Sequence, residues 1–220
     1  MIVIGVVAHN QRRKQAEKLA EQVGASVCLF DDGTLKCEGN HLEVLRLLHC
    51  YDADWVVVLE DDAAPQPGFG IDVRAALRNP PAPVIGLYLG TGNPSGEPQR
   101  QIKAAVDAAK AQGAAWLLAD CLIGSVGYAV RGSHIADMLD FITGRDEELP
   151  LRISRWAQAR GHFIGYTQPS LVDHRDDEPI GRPWRGPHFL PRKAWNYGTR
   201  ENWDTPAVRI GHCPVWSAHG

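Results

Sequence analysis

The chain has 220 residues, a formal net charge of −3 and a pI near 6.3, enough for one sizeable domain. A hydrophobic share of 44% and a charged share of 22% are ordinary for a soluble globular protein. The charge balance removes any global electrostatic case for nucleic acid or an acidic membrane, leaving room only for a local basic patch.

Residues 2–8 (IVIGVVA) predict a first buried strand, too short for a signal sequence or a membrane span. Asn10 is placed to cap the helix that follows, in which Ala16, Leu19, Ala20 and Val23 recur at helical spacing until Gly24. Residues 26–30 predict a second strand running into Asp31, Asp32 and Gly33. Leu42, Leu45 and Leu48 mark an amphipathic helix that leads into residues 55–62, WVVVLEDD. There an apolar run, Val56, Val57, Val58 and Leu59, suits a strand buried on both faces of an α/β sheet. It ends in three carboxylates, Glu60, Asp61 and Asp62, which belong at the open end of such a strand with a cationic partner. The C-terminal edge of an open α/β sheet is where ligands bind, and carboxylates there suit Mg²⁺ or Mn²⁺ bridging to phosphates. A solvated acidic turn is the competing reading of the same residues. The β-α-β-α-β order predicts a mainly parallel sheet with right-handed crossovers.

Residues 84–89 predict a further strand, and residues 90–101 (GTGNPSGEPQRQ) a polar loop long enough to be a binding loop or disordered. Residues 121–130 read as a strand, followed by a helix through Ile135, Met138, Leu139 and Ile142. Residues 151–160 predict a helix with Ile153, Trp156 and Ala157 inward, and residues 162–166 a short strand. Beyond Pro179 the chain is rich in Pro, Trp and Arg. This tail reads either as a strap anchored by Trp195, Trp203 and Trp216, or as an acceptor-binding segment that uses aromatic and cationic faces such as Trp184, Arg182 and Arg185. The expected organisation is a catalytic domain over residues 1–178 and an extension, 179–220, packed on it. Cys28, Cys37, Cys50, Cys121 and Cys213 show no CxxC or zinc-finger spacing and read as mostly reduced packing residues. The expected location is cytoplasmic.

A third polar cluster, residues 170–177 (SLVDHRDD), contains His174. Alone it is an ordinary loop histidine. If this segment converges with the strand ends on one edge of the sheet, its imidazole joins a carboxylate set that suits Mn²⁺ better than Ca²⁺.

The acidic strand LEDD followed by Ala63, Pro65, Gly68 and Phe69, together with Gln168-Pro169-Ser170-Leu171-Val172-Asp173-His174, resembles nucleotide-sugar glycosyltransferases of the GT-A fold. These carry an EDD form of the DxD signature and a PSLVxH segment, and Gly127-Tyr128-Ala129-Val130 sits where they have a GAxAY-like strand. The resemblance covers about residues 1–178. It implies an α/β fold, a Rossmann-related three-layer sandwich with a mainly parallel central sheet. It also implies that Asp62 and His174 ligate Mn²⁺ (or Mg²⁺), with Asp61 near the ribose or the ion and Glu60 near the ribose or donor sugar. His9, Asn10 and Arg13 would lie beside the nucleotide, and Asp31 or Asp32 would meet its base or ribose. An inverting enzyme needs a carboxylate, acting as base, to take the acceptor proton. Glu147 and Glu148, with neighbouring Asp146, are the candidates from the resemblance and have an equal reading as helix N-terminal charges; Asp120 is the second choice. In place of a small Gly/Ser loop after the histidine, this chain has Arg175-Asp176-Asp177-Glu178, which leaves phosphate contacts to Arg175 or Arg182.

The expected activity is metal-dependent transfer of a sugar from a nucleoside-diphosphate sugar, UDP-sugar foremost, to an acceptor hydroxyl. A nucleotidyltransferase of related fold is the alternative enzyme, although AHNQRRK has no glycine run for a nucleoside triphosphate. A non-catalytic nucleotide-binding module is the third reading. A zinc hydrolase built from His9, His174, His188 and His212 lacks any HExxH-like spacing. The acceptor (glycan, protein, lipid or modified DNA) stays open.

Overall fold

The apolar N-terminus forms β1 (Ile2–His9), and a 3₁₀ turn (Asn10–Arg12) leads from it into α1 (Arg13–Val23). Then follow β2 (Val27–Asp31), α2 (Lys36–His49), β3 (Trp55–Glu60), β4 (Ala63–Pro65), α3 (Phe69–Ala76), β5 (Val84–Gly86) and α4 (Glu97–Gln112). The remaining elements are β6 (Trp116–Ala119), β7 (Gly127–Arg131), α5 (Gly132–Ile142), α6 (Leu149–Ala159), β8 (Ile164–Thr167), β9 (Val172–His174) and β10 (Ala207–Arg209). This computed structural model describes residues 1–92, 95–178, 180 and 191–211.

Eight strands form one sheet in the order β2-β1-β3-β7-β5-β8-β6-β10. Four of its seven adjacent pairs are parallel: β1 with β2, β1 with β3, β5 with β8, and β6 with β10. β7 runs against both β3 and β5, and β6 against β8. The sheet is therefore the mainly parallel one expected, in a mixed α/β fold. Alternate residues feed two cores. On one face Val56 and Val58 of β3 meet α2, α4, α5 and α6 through residues such as Leu45, Ile102, Met138 and Trp156. On the other face Val57 and Leu59 meet α1 and α3 through Leu19, Phe69 and Val73. Helices on both sides make three layers, as parallel strands buried on both faces require.

Several local expectations change. Asn10 does not cap α1: the His9 side chain accepts the Gln11 amide, and Arg12 precedes the helix with no side-chain cap. The expected loop over residues 90–101 is cut short by α4. The helix starts at Glu97-Pro98, and its buried stripe is Ile102, Ala105, Val106 and Ala109. Pro suits a first helical turn, where its missing N–H has no partner to lose. The strand expected over 121–130 is confined to β7, because Gly124 adopts a left-handed backbone (φ 89°) and the segment before it crosses over the α6 core. There the Leu122 amide donates to Ser154 and the Ile123 amide to Tyr166. The strand expected over 84–89 closes at Gly86. Of the four described cysteines only Cys121 is buried; Cys37 and Cys50 are exposed, so packing does not account for the set.

Two short strands position the site. β4 and β9 pair antiparallel, with Ala63 opposite His174, which brings the histidine segment to the end of the acidic strand. Residues 191–211 run back over the domain. β10 extends the sheet beside β6, Trp203 is buried against Trp116 with ring centroids 5.3 Å apart, and the Trp116 indole N–H donates to the Trp203 carbonyl at 2.8 Å. The Trp195 indole donates to Gln99. Arg182, Trp184, Arg185, His188, His212, Cys213 and Trp216 lie outside the described residues. Among the described residues no helix is long and apolar enough to cross a membrane.

Candidate functional site

Because β1, β2 and β3 are parallel, their C-terminal ends share one edge of the sheet. His9 stands opposite Asp31, and Val7 opposite Glu60. This edge borders a cavity of about 520 Å³ lined by His9, Arg12, Asp31, Cys37, Glu60, Asp61 and Asp62, among others.

Asp61 and Asp62 are both buried and are bridged by one side chain. The Arg12 guanidinium places Nη1 2.8 Å from Asp61 Oδ1 and 2.8 Å from Asp62 Oδ2. Asp61 Oδ2 also accepts the His9 amide at 2.8 Å. Gln15 donates to the Asp61 carbonyl and to Asp177, each at 2.9 Å, and Arg12 Nη2 donates to the Glu178 carbonyl. The 174–178 segment is thus tied to the start of α1, over the acids. Asp62 differs from Asp61 in one respect: its Oδ1 is buried and has no hydrogen-bond partner among the described residues. Burial, then the neighbouring Glu60 charge, pushes the Asp62 carboxyl up to about 6 despite Arg12.

His174 Nε2 lies 3.5 Å from Asp62 Oδ2. The ring is almost wholly buried, and its Nδ1 accepts the Asp176 amide at 2.7 Å. Burial, with Arg192 nearby, lowers its pKa to about 4, so it is neutral. Glu60 turns instead toward α2. Its Oε1 accepts from Ser125 at 2.5 Å and lies 3.1 Å from His41 Nε2. Desolvation would raise the Glu60 carboxyl, but these bonds outweigh it and hold it below its ordinary range.

The remaining sequence candidates separate. Asp31 is buried and accepts the Gly33 and Leu35 amides, and Asp32 accepts the Thr34 amide and hydroxyl, so both carboxylates shape their own turn. Asn10 is exposed and accepts from Arg13, whose guanidinium stacks on Phe30 at 3.8 Å. Glu147 and Glu148 line a neighbouring cavity of about 520 Å³ that shares Lys36 and Glu38 with the first. Glu147 is paired with Arg155 at 2.7 Å, whereas Glu148 precedes α6 without a side-chain cap bond. Asp120 does not join them. It follows β6, which runs opposite to β3 and β8, and its carbonyl is held by Gln158 at the far end of α6. The sequence reading passed over Arg12, Gln15, Cys37, His41 and Ser125. Arg12 carried a signal, the first of two adjacent arginines in QRRK just after the first strand, but the 3₁₀ turn decides which arginine faces inward.

No protein-family model matches the chain, and no curated protein sequence matches it. Among solved structures it is similar to a glycosyltransferase involved in the glycosylation of the major capsid of PBCV-1, at 9% identity and a TM-score of 0.40, covering 72% of this chain and 76% of that one. It is also similar to the inositol-1-phosphate CTP transferase from T. maritima, at 10% identity and a TM-score of 0.38, covering 76% of this chain and 65% of that one. Likenesses of this degree concern the course of the chain and carry no functional argument.

Proposed function

We propose that the chain is a divalent-metal-dependent glycosyltransferase, moving a sugar from a nucleoside-diphosphate sugar, UDP-sugar first among them, to an acceptor hydroxyl. The observation that carries this reading is Asp62, a buried carboxylate whose Oδ1 has no hydrogen-bond partner among the described residues, set beside a neutral imidazole at the ligand-binding edge of the sheet. A buried carboxylate oxygen without a donor is unfavourable, and a cation from solvent relieves it. The residues fit Mn²⁺ or Mg²⁺: two protein ligands, Asp62 and His174, with Asp61 alongside, suit ions that keep waters and complete their shell with substrate phosphates. When bound, the ion would supply positive charge to the departing diphosphate.

The chain's own residues have separable tasks. With the acids neutralised by a cation, the Arg12 fork is released to meet phosphate oxygens. For His174 to ligate through Nε2, its ring proton must move to Nδ1, so the Asp176 amide must turn away from that atom. His174 therefore contributes less to metal affinity than Asp62. In the transfer step the acceptor oxygen forms a bond to the anomeric carbon, the carbon–oxygen bond to the diphosphate breaks with its electron pair, and the acceptor proton passes to a carboxylate. Glu148 suits that last role better than Glu147, which is held by Arg155.

The test incubates the protein and Mn²⁺ with a panel of nucleoside-diphosphate sugars, and separately with nucleoside triphosphates and sugar 1-phosphates. Release of a nucleoside diphosphate, to water or to added acceptors, is the expected result. Pyrophosphate released from a triphosphate would replace this reading with a nucleotidyltransferase, and binding without turnover would replace it with a binding module.

A further inference from the structure

Beside the carboxylate edge, a second group of side chains has a different chemistry. Cys37 and His41 stand four residues apart on α2 and so share one face of it. Glu60 meets them from the end of β3. One ligand atom from each of the three lies within 4.8 Å of the others. The imidazole is fully buried, with Nε2 3.1 Å from Glu60 Oε1 and Nδ1 3.2 Å from the Tyr128 hydroxyl. Among the described residues this is the one group that brings three such ligand atoms together, and Asp62 is not part of it.

We propose that Cys37, His41 and Glu60 form a second metal site, for a thiolate-preferring ion such as Zn²⁺, distinct from the oxygen-rich site at Asp62. Sulfur, nitrogen and oxygen together select zinc over Mg²⁺ or Mn²⁺. Tetrahedral zinc with bonds of about 2.0–2.3 Å sets its ligand atoms about 3.3–3.6 Å apart. The His41–Glu60 separation already falls below that, so closure asks only a modest approach of Cys37, at the exposed first turn of α2. The Tyr128 hydroxyl is placed to accept from Nδ1–H when Nε2 carries the metal, in the position that a carboxylate, carbonyl or water usually takes beside a ligating histidine. Three protein ligands leave a fourth position. Cys37 and Glu60 both line the 520 Å³ cavity, so a water or a substrate group can reach that position from it. The proposal rests on these three side chains and not on the reading of Asp62.

The experiment adds Co²⁺ alone, then Zn²⁺, to the metal-free full-length protein. The expected result is a thiolate-to-cobalt charge-transfer absorption that Zn²⁺ abolishes by displacement, and a rise in Tm with Zn²⁺ because the ion binds the folded state. Cys37→Ser, at an exposed position that leaves the core intact, should remove the absorption and weaken Zn²⁺ at least tenfold. Cys28→Ser, Cys50→Ser, Cys213→Ser and Asp62→Ala should keep the absorption. No thiolate band in the native protein, or a band that survives Cys37→Ser, would overturn the assignment. If the band persists in Cys37→Ser but is lost in Cys213→Ser, the ion is held elsewhere.

Discussion

Arg12 holds two buried carboxylates at once, and its removal should tell what they are for. Breaking a buried pair by deleting one partner leaves charge without compensation and costs about 3 kcal/mol. Arg12→Ala should therefore lower stability by roughly that amount in urea unfolding, and Mn²⁺ should restore part of the loss, since a cation can replace the guanidinium. A loss that Mn²⁺ leaves untouched would show that the acids do not take a metal. Asp62 also sets a pH dependence. Its carboxyl titrates near 6, and only the ionised form ligates, so Mn²⁺ affinity should be level above pH 6 and fall about tenfold per pH unit below it. Calorimetry at pH 7.5 and pH 5 checks this. For the metal-free fold the two buried groups pull in opposite directions. The raised Asp62 pKa means the native state binds an extra proton, so its contribution declines as pH rises from the ordinary carboxylate range through 6. The lowered His174 pKa means the unfolded state protonates first, so its contribution is full above the ordinary histidine value and is lost as pH falls toward 4.

At the scale of elements, the site exists because a three-residue pairing, β4 with β9, sets His174 across from Ala63. The acidic strand and the histidine segment were each legible in the sequence, because an apolar run ending in acid and a polar cluster with a histidine are local signals. Their junction came only from the resemblance, which sets Asp62 and His174 on one ion, since strands of three residues have too little periodicity to show it themselves. Nor could the sequence tell Arg12 from Arg13: the three-residue 3₁₀ turn sends the first to the acids and the second to Phe30. α4 was overlooked although Ile102, Ala105, Val106 and Ala109 have helical spacing, because the Gly/Pro lead-in read as loop. Asp31 and Asp32 also accept bonds from their own turn, while Asp31 lines the cavity, and only the hydrogen-bond geometry reveals that turn role. One element junction is tight enough to predict a defect. A Cβ added to Gly132, where α5 leaves β7, would sit 1.8 Å from the Ala53 carbonyl oxygen. Gly132→Ala should cost about 1–3 kcal/mol through forced backbone shifts, read as a lower urea midpoint with an unchanged slope.

Over the whole molecule the two cores meet across one sheet, and the described part of the tail closes its far edge rather than standing apart. Trp203 packs on Trp116 and accepts its indole N–H, so Trp203→Ala should lower stability by about 3–5 kcal/mol while leaving metal affinity at the distant Asp62 edge unchanged. A change in Mn²⁺ binding in that variant would mean that the Trp203 part of the tail also bears on the site, where Arg192, Lys193 and Ala194 already bond to residues 173–176. The Asp62 edge shows the reverse balance. A buried carboxylate with a raised pKa opposes folding at neutral pH, so Asp62→Ala should retain the fold, as expected where a side chain is kept for function at the expense of stability. The measurement that bears most directly on this account is therefore a calorimetric titration of UDP, GDP, TDP and CMP into the native protein and into Asp62→Ala, with Mn²⁺ and then with excess EDTA. Binding of one nucleotide that requires Mn²⁺ and vanishes in a folded Asp62→Ala is the expected result. Binding that survives EDTA or the substitution, or no binding of any of the four, would contradict it.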